Sequence, residues 1–580
     1  MPAPSALIDF IDPHGSGTRT RLAFGTPEQA WTARTAAEVP AVLEAAQQAA
    51  AAGRWCVGFV AYEAAPAFDA AFEVHPSCGP LAWFAAFDDA APWPDGLAPA
   101  YPPLQWEASI GRAGFDAALA RIHQAIADGE VYQVNYTAAV RSPHAGPALE
   151  LFRALHRTQP EGYAAFLDTG ELQVLSVSPE LFFDWRDGRL LCRPMKGTAL
   201  RGATPEEDQA RAEALRTTEK ERAENLMIVD LIRNDLSRIA RPFSVRVPRL
   251  FHTQALPTVW QMTSDVMAET RPGTTLRDVF AALFPCGSVT GAPKVRAMHW
   301  IRALERAPRG VYCGAVGVLR PDGSATFNVP IRTVVLQDGQ AQCGIGSGIT
   351  ADAGTDGEWA EWGGKRRFLE LARQPFRLVE TLRLEDGRFR AEVLHLQRMA
   401  AAAVHFGYPW DEARVRGALQ ALAAAHPQGP WRVRLLLDAA GAAQAEAHPM
   451  AAAVPGRVTV QLAREPVRAA LPDFLRYKTT RREHYEVHAP DDPAVFDTLL
   501  WNAEGEVTEF TRGNVAVRLD GRWVTPPLRC GLLGGVARAE ALRDGRLAEA
   551  VVRVEDLARA EGLAFLNSLR GWIPAMLRRH

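Results

Sequence analysis

The chain of 580 residues is too long for a single hydrophobic core, so its length predicts two or more domains. Hydrophobic residues make up 48% and charged residues 23%, as in ordinary soluble globular proteins, and the formal net charge of −3 gives no reason to expect a nucleic-acid or anionic-membrane partner. The sequence has no signal-peptide pattern, no apolar run long enough to cross a bilayer and no CxxC pair among its seven cysteines, which predicts a cytoplasmic protein with reduced thiols.

The first domain is predicted to be α+β. Residues 1–107 mix apolar runs with proline-rich connectors, and 108–370 alternate helical and strand patterns. Helices are predicted at 115–130 and, with amphipathic spacing, at 218–239. Strands are predicted at 131–140, 172–178, 181–185, 189–194, 310–319, 325–336 and 341–349. Such clusters of strands and helices indicate layered sheets.

A domain boundary is predicted near residues 366–375, where a helix ends at Pro375. Strand 376–384, a turn at Asp386-Gly387 and strand 388–394 predict a hairpin that opens a new domain. The remaining residues, 376–580, are enough for a core of their own.

Two acidic pairs suggest a cation site. Glu221 and Glu224 lie three residues apart on a predicted helix, and Glu358 and Glu361 repeat that spacing on another. Two such pairs facing one another can hold a hard divalent cation through oxygen ligands. Either pair alone is more often a solvated helix face.

Three further features suggest chemistry. Lys196 in RPMKGT would need a lowered pKa to act as a nucleophile. Glu180 lies between two apolar strands, where a carboxyl group can be held protonated as a general acid. The backbone N–H groups of GIGSG (344–348) can approach an anion. Each feature alone has an ordinary structural interpretation, as a solvated lysine, a strand-edge charge or a turn.

Together these motifs resemble the chorismate-utilising enzyme family, which includes anthranilate, isochorismate and salicylate synthases and component I of aminodeoxychorismate synthase. The resemblance covers about 108–370 and is carried by GEVYQVN (129–135), SPELFF (178–183), PMKGT (194–198), KERAENLMIVDLIRND (220–235), FPCGSVTGAPKVRAM (284–298), RGVYCGAVG (309–317), NVPIRT (328–333) and GIGSGITAD (344–352). It implies two stacked antiparallel sheets flanked by helices, with chorismate in a deep cleft.

The resemblance also implies roles for the residues. Lys196 would attack ring C2 of chorismate while Glu180 protonates the departing C4 hydroxyl, and ammonia would then add at C4 and expel the lysine. Mg²⁺ at the ring carboxylate would be held by Glu224 and Glu361, supported by Glu221 and Glu358. The pyruvyl-side carboxylate would be bound by Tyr312, Arg332 and the amides of Gly344, Gly346 and Gly348.

Three positions refine this expectation. Gln133 stands where water-using members carry a lysine base, as it does in ammonia-using members. Lys196 stands where anthranilate synthases carry alanine, and aminodeoxychorismate synthases have PIKGT there. Gln261 in TVWQM replaces the histidine of many relatives. No cysteine lies in an amidotransferase-like elbow, so the resemblance implies that a separate glutamine amidotransferase subunit supplies ammonia.

The second domain contains the parts of a pyridoxal phosphate site. Lys478 in YKTTRR, Glu509 in EGEVTEFTRGNV and the glycines of LLGGVAR (532–538) can serve as Schiff-base lysine, partner of the ring nitrogen and phosphate-binding amides. Individually they are more often surface charge or a turn.

This second set resembles the fold-type IV aminotransferase family, which includes aminodeoxychorismate lyase. Further carriers are ETLRLEDG (380–387), HLQRMAAAAVHFGY (395–408), WRVRLLLDAAG (431–441) and LNSLRG (566–571), and the first strand and loop of standalone relatives are missing. The resemblance implies a smaller α+β domain over 376–580. Its cofactor would be held by Lys478, Glu509, Arg398, Val536 and Ala537, and a homodimer through this domain is expected.

The two resemblances predict consecutive reactions, in which the first site forms 4-amino-4-deoxychorismate and the second removes pyruvate to give p-aminobenzoate for folate synthesis. Two alternatives stay open. One is an anthranilate synthase component fused to an unrelated aminotransferase, against which Lys196 argues. The other is a C-terminal domain that only mediates dimerisation, against which Lys478 and Glu509 argue.

Overall fold

The computed structural model describes residues 4–15, 18–94, 104–159, 162–200, 205–255, 259–372, 376–406, 408–450, 456–467 and 473–578. The chain divides into two compact units. The first contains residues 1–202 and 208–374, and the second contains 375–580 together with 203–207.

The strands of the first unit are β1 (Ala6–Ile11), β2 (Arg19–Phe24), β3 (Gln29–Ala33), β4 (Trp55–Val60), β5 (Ala82–Phe87), β6 (Ala91–Pro92), β7 (Glu107–Ala108), β8 (Gln133–Pro143), β9 (Tyr163–Asp168), β10 (Gln173–Ser178), β11 (Leu181–Arg186), β12 (Arg189–Arg193), β13 (Met195–Leu200), β14 (Arg246–Ala255), β15 (Val259–Glu269), β16 (Gly291–Ala292), β17 (Ala315–Leu319), β18 (Ala325–Asn328), β19 (Thr333–Gln337) and β20 (Gln340–Ile349). Its helices are α1 (Val39–Ala51), α2 (Arg112–Ala127), α3 (Ala148–Thr158), α4 (Pro205–Thr217), α5 (Glu219–Ser237), α6 (Leu276–Leu283), α7 (Lys294–Leu304) and α8 (Thr355–Leu371).

Within the described residues these strands form two ten-stranded sheets. The first sheet runs β16-β8-β20-β19-β10-β9-β1-β2-β6, with β7 beside β8, and the second runs β13-β15-β12-β11-β18-β17-β4-β5-β3, with β14 beside β15. Each sheet therefore combines strands from residues 1–107 with strands from later in the chain.

The layer between the sheets is apolar. Ile8 and Phe10 of β1 belong to one buried cluster with Phe59 of β4 and Val316 of β17. Burying such side chains contributes about 1.5–3 kcal/mol each. This apolar layer explains why residues from both sheets alternate between buried faces.

The strand β20 has two different faces. Cys343, Ile345 and Ser347 are buried, and the indole N–H of Trp362 in α8 donates to Ser347 Oγ at 3.0 Å. The alternate residues are the glycines at 344, 346 and 348, so the opposite face carries no side chains there. That bare face leaves space for a site.

Most predicted elements of the first unit are confirmed, but two strands are wrong in part. The strand predicted at 310–319 begins only at Ala315, because Gly310 and Cys313 adopt left-handed backbone with φ of 65° and 64°. The strand predicted at 325–336 is two strands, broken where Arg332 has φ of 50°.

The strands of the second unit are β21 (Leu378–Glu385), β22 (Arg388–Phe389), β23 (Pro430–Leu437), β24 (Ala443–Pro449), β25 (Val458–Leu462), β26 (Asp497–Trp501), β27 (Val507–Phe510), β28 (Asn514–Leu519), β29 (Arg522–Thr525), β30 (Ala548–Glu549), β31 (Gly562–Asn567) and β32 (Gly571–Leu577). Its helices are α9 (Glu392–Phe406), α10 (Glu412–Ala425), α11 (Asp473–Arg476), α12 (Glu483–Glu486) and α13 (Val536–Arg543).

The second unit contains a four-stranded antiparallel sheet, β22-β21-β23-β24, and an eight-stranded sheet, β27-β26-β25-β32-β31-β28-β29-β30, in the part of the chain that is described. The larger sheet is mixed, since β25 runs parallel to both β26 and β32. Its core includes Val460, Leu499, Phe510 and Phe565.

The predicted hairpin at the start of this unit is correct for β21 but wrong for most of 388–394. Only Arg388–Phe389 pairs as strand, because Ala391 turns the chain with φ of 51° and α9 begins at Glu392. A glutamate in the first turn suits the positive end of the helix dipole. No helix in the described ranges is long and apolar enough to span a membrane.

Candidate active sites

The first site is a cavity of about 130 Å³. Its walls come from the edges of both sheets, with β20 on one side and β13 on the other, and from α5 and α8. Among the predicted site residues, the ones that border it are Glu180, Lys196, Glu221, Glu224, Tyr312, Arg332, Gly344, Gly346, Gly348, Glu358 and Glu361.

Lys196 is the buried amine of this cavity. It lies within β13, where the sequence predicted a position after a strand, and is only 9% exposed. A Cβ added to Gly348 would lie 2.4 Å from Lys196 Nζ, so the amine rests directly on the bare face of β20. Burial lowers the pKa of Lys196, against the opposing charge of Glu224, and therefore raises the fraction of free amine.

Gln133 lies behind the same glycine. The Cβ added to Gly348 would lie 2.8 Å from Gln133 Nε2, although Gln133 itself does not border the cavity. Gln133 is fully buried, and neither its Nε2 nor its Oε1 has a hydrogen-bond partner among the described residues. An unpaired buried amide is costly, so a small polar ligand that donates and accepts hydrogen bonds would stabilise this position.

Glu180 is placed to donate a proton into the cavity. It lies between β10 and β11 as predicted, is 2% exposed, and accepts a hydrogen bond from Ser288 Oγ at 2.6 Å. Burial raises the pKa of Glu180 to about 7. A carboxyl group with that pKa is partly protonated at neutral pH, as a general acid requires.

The four predicted metal ligands share the cavity but are not gathered around one point. Within the described residues no group of three or more His, Cys, Asp or Glu side chains is arranged to hold a metal ion. Each of three carboxylates has its own donor: Thr350 Oγ1 for Glu224 at 3.2 Å, Ser347 Oγ for Glu358, and Lys365 Nζ for Glu361 at 2.7 Å.

The donor set nevertheless fits a hard cation. Burial, and then repulsion from Glu224, raise the pKa of Glu221 to about 7. The carboxylates of Glu221, Glu224, Glu358 and Glu361 are oxygen ligands of the kind Mg²⁺ prefers, and a cation among them would relieve this repulsion.

Lys365 is a cavity residue that the sequence analysis missed. Its Nζ pairs with Glu361 and also donates to the carbonyl oxygen of Gly346 at 2.9 Å. Its position four residues after Glu361 on the same helix was the available signal, because side chains at that spacing share a face. Lys365 therefore occupies the carboxylate that the metal prediction assigns to Mg²⁺.

The predicted carboxylate-binding residues lie at the far end of the cavity. A Cβ on Gly344 would lie 2.2 Å from Tyr312 Cδ1, so the tyrosine ring packs on the glycine. Arg332 donates to Gln159 Oε1, and burial lowers its pKa to about 10, which leaves it a cation at neutral pH. Its left-handed backbone is of the strained kind that occurs at functional sites.

Gln261 holds the strand that carries Lys196. It accepts from Thr198 Oγ1 at 3.1 Å and donates to the carbonyl oxygen of Gly197 at 2.8 Å. Gly197 has φ of 87°, and a Cβ there would lie 2.6 Å from Glu221 Oε2. The glutamine thus takes a structural place beside the lysine.

The second site is a cavity of about 480 Å³ within the second unit. Lys478, Glu509, Arg398 and Val536 border it, and Ala537 follows one residue further into α13. Burial, followed by the charges of Arg398 and Arg482, lowers the pKa of Lys478 to about 8. This amine is therefore far more available than an ordinary lysine.

Glu509 is fixed by three donors. Tyr485 Oη donates to its Oε1 at 2.7 Å, the backbone N–H of Leu533 at 3.1 Å, and Asn514 Nδ2 to its Oε2 at 3.4 Å. It is 3% exposed, and burial raises its pKa to about 7. A carboxylate so held suits a partner for a protonated ring nitrogen.

Arg398 is anchored by Glu380, which the sequence analysis did not select. The guanidinium donates to both carboxylate oxygens at 2.8 and 2.6 Å, and also to the carbonyl oxygen of Gly534 at 3.0 Å. His395 lies on the other side, 2.6 Å from Glu380 Oε2. These bonds hold the guanidinium next to the LLGGVAR segment.

The start of α13 completes an anion site. Gly535 is its N-cap, and a Cβ there would lie 1.8 Å from Asn514 Oδ1, so only glycine fits. The first N–H groups of a helix are free to bind a phosphate. With Lys478, Glu509 and Arg398 around one cavity, the residues fit pyridoxal phosphate.

Comparison with known proteins agrees with both predicted resemblances. A family model described as chorismate binding enzyme matches residues 9–370, and one described as amino-transferase class IV matches residues 377–576. The predicted recognition and the predicted fold of each part are confirmed.

Two curated relatives match the first unit. Aminodeoxychorismate synthase component 1 of Klebsiella aerogenes is 40% identical over 256 residues, which are 44% of this chain and 57% of the relative. Anthranilate synthase component 1 of Aquifex aeolicus strain VF5 is 39% identical over 267 residues, 46% of this chain and 54% of the relative. The chain thus spans about half the length of these relatives.

A solved structure supports the fold of the first unit. Anthranilate synthase component I from Streptococcus pneumoniae TIGR4 superposes with a TM-score of 0.51 at 24% identity, covering 63% of this chain and 90% of that one. At this identity the likeness concerns the fold alone.

The Glu380–Arg398 pair predicts a pH-dependent stability. Burial alone would raise the pKa of Glu380, but Arg398 and His395 hold it at about 2, below its ordinary value of 4.5. This depression stabilises the folded second unit by about 3 kcal/mol above pH ~4.5, and the contribution is lost as pH falls toward 2. Glu380→Gln should lower the free energy of unfolding by about that amount at pH 7, and by less at pH 3, as measured by urea unfolding.

Glu412→Gln is the matched control, because its side chain is 55% exposed and its pair with Arg416 lies at the surface. It should change the free energy of unfolding by less than about 1 kcal/mol. Equal effects of the two substitutions at pH 7 would contradict the role of the buried pair.

Proposed function

This chain belongs to the chorismate binding enzyme family, and we propose that its first unit converts chorismate and ammonia into 4-amino-4-deoxychorismate, from which its second unit releases pyruvate to leave p-aminobenzoate. The observation that carries the proposal is the amine of Lys196, buried on Gly348 in a cavity that also contains Glu180. Both a nucleophile and a proton donor are thus present at one site.

In the first reaction, Lys196 attacks ring C2 as the free amine while Glu180 gives its proton to the C4 hydroxyl, which leaves as water. Ammonia then adds at C4, the bond between Lys196 and C2 breaks, and the product leaves with its pyruvyl group intact. Tyr312 and Arg332 would orient the pyruvyl-side carboxylate, for which a guanidinium is suited. Mg²⁺, held by Glu224 and Glu361 with Glu221 and Glu358 beside them, would neutralise the ring carboxylate.

Gln133 supports ammonia as the nucleophile. Its amide lacks both a donor and an acceptor partner beside Lys196, and ammonia can supply both. The source of ammonia is proposed to be a separate glutamine amidotransferase subunit. The seven free cysteines favour a reducing compartment, for which we propose the cytoplasm.

In the second unit, Lys478 would hold pyridoxal phosphate, Glu509 would keep its ring nitrogen protonated, and Arg398 with Val536 and Ala537 would bind its phosphate. The cofactor supplies an electron sink for loss of a substrate proton before pyruvate leaves. With its pKa near 8, Lys478 is suited to accept and return that proton.

The lining of the second cavity favours a substrate with two carboxylates. Arg432 and Arg434 project from the same face of β23 into it, and Arg570 borders it as well. Guanidinium groups pair bidentately with carboxylates, and 4-amino-4-deoxychorismate carries two. This supports a lyase rather than an aminotransferase for apolar amino acids or a non-catalytic dimerisation module; a homodimer through the second unit stays a prediction.

The role of Lys196 predicts the pH profile of the first reaction. The rate should rise with pH as Lys196 loses its proton and fall as Glu180, with its pKa near 7, loses the proton it must donate. Lys196→Met should remove at least 99% of 4-amino-4-deoxychorismate formation, and Glu180→Gln should slow it and abolish the falling limb. Initial rates between pH 6 and 9, with products separated by chromatography, measure this.

Formation of 4-amino-4-deoxychorismate by Lys196→Met at the wild-type rate would rule out the covalent role. Formation of anthranilate by the wild-type chain would favour the anthranilate synthase alternative.

The role of Lys478 predicts a block between the two reactions. Lys478→Ala should lose the visible absorbance of lysine-bound pyridoxal phosphate and accumulate 4-amino-4-deoxychorismate at the wild-type rate, with p-aminobenzoate reduced at least 100-fold. Because the first site is untouched, this variant also serves as the folded control for Lys196→Met. Continued production of p-aminobenzoate would show that the second unit is not the lyase.

A further inference from the structure

A second cavity of about 250 Å³ adjoins the first site within the first unit. It is bordered by β8, by β20 and by the segment after α7 that contains Ala307 and Arg309. The functional assignments above do not use it. Ser109, Arg141 and Arg306 are exposed at its rim, so it opens to solvent.

The two cavities lie on one face of the β8–β20 pair. Asn135 faces Gly348 in the pairing register and both border the first cavity. Two and four steps further along the same face, Ala139 pairs with Gly344 and Arg141 with Gln342, and these border the second cavity. Because side chains alternate along a strand, these pairs form one continuous floor.

Only Tyr312 and Gly344 border both cavities among the described residues. The ring of Tyr312 packs on Gly344, with 2.2 Å between its Cδ1 and a Cβ added to that glycine. Tyr312 is 7% exposed. The ring therefore stands on the common floor as a partition, and a change of its side-chain rotamer would join the two spaces.

The backbone around the partition is held by buried charges. Arg309 donates to Glu305 and to the carbonyl oxygens of Asn135 and Val289, each at 2.7 Å. Glu305 also accepts from the N–H and Oγ1 of Thr137, both at 2.9 Å. With Glu305 fully paired and Arg141, Arg306 and Arg309 around the cavity, the lining is unfavourable for a cation.

From this geometry we infer that the second cavity is the entry route for the neutral amine that attacks in the first reaction, with Tyr312 as the partition it passes. The inference rests on the proposed function, since it takes ammonia as the nucleophile. A separate route would let ammonia enter while chorismate fills the first cavity. It would also favour neutral ammonia over ammonium, whose charge the arginines repel.

The test is to narrow the second cavity from two different elements. Ala139→Leu places a larger side chain on β8 opposite Gly344, and Ala307→Phe does so from the segment after α7. With ammonium chloride as the nitrogen source, each variant should raise the KM for ammonium at least fivefold. The KM for chorismate and the kcat at saturating ammonium should stay within twofold of wild type, which also shows that the variant is folded.

Two controls match these variants. Ala139→Ser keeps the side chain small at the same position, and Ala108→Leu adds the same bulk at an exposed position on β7. Both should retain the wild-type KM for ammonium. If both narrowing variants also retain it, or raise the two KM values equally, the route is overturned while the proposed function stands. A wild-type chain without ammonium-dependent turnover would overturn the proposed function and the route with it.

Discussion

The structure of the first unit depends on placing an amine where water cannot reach it. Lys196 comes from the edge of one sheet and lies on the glycine face of a strand from the other, so both sheets must meet at this edge. Any side chain at position 348 would occupy the space of the amine. Desolvation then lowers the pKa of Lys196, while nearby carboxylates limit that fall. The cavity therefore keeps its nucleophile reactive and its acidic groups partly protonated.

The second unit reaches a similar end with the opposite charges. Lys478 is again desolvated, but its neighbours include Arg398 and Arg482, and its pKa falls to about 8. Glu380 prevents Arg398 from being an uncompensated buried charge, and in doing so fixes the guanidinium beside α13. One site thus surrounds its lysine with carboxylates suited to a cation, whereas the other surrounds it with arginines suited to anions.

Much of this arrangement could be predicted from the sequence because the signals are local. The spacing of Glu358 and Glu361 indicated their helix face, and the alternation in GIGSG indicated a strand with one bare side. The contacts of Gln133, Lys365 and Glu380 could not be predicted, because each depends on residues distant in the chain. Left-handed backbone at Arg332 and Ala391 broke two predicted strands, since neither residue type signals that conformation.

The central claim is that one chain carries two consecutive reactions on the same molecule of substrate. Its most direct test supplies the wild-type chain with chorismate, Mg²⁺ and ¹⁵N-ammonium, with and without pyridoxal phosphate, and identifies the products by mass spectrometry. With the cofactor, we expect ¹⁵N-labelled p-aminobenzoate and one pyruvate for each chorismate consumed. Without it, we expect labelled 4-amino-4-deoxychorismate to accumulate. Labelled anthranilate, or the same products in both conditions, would contradict the account.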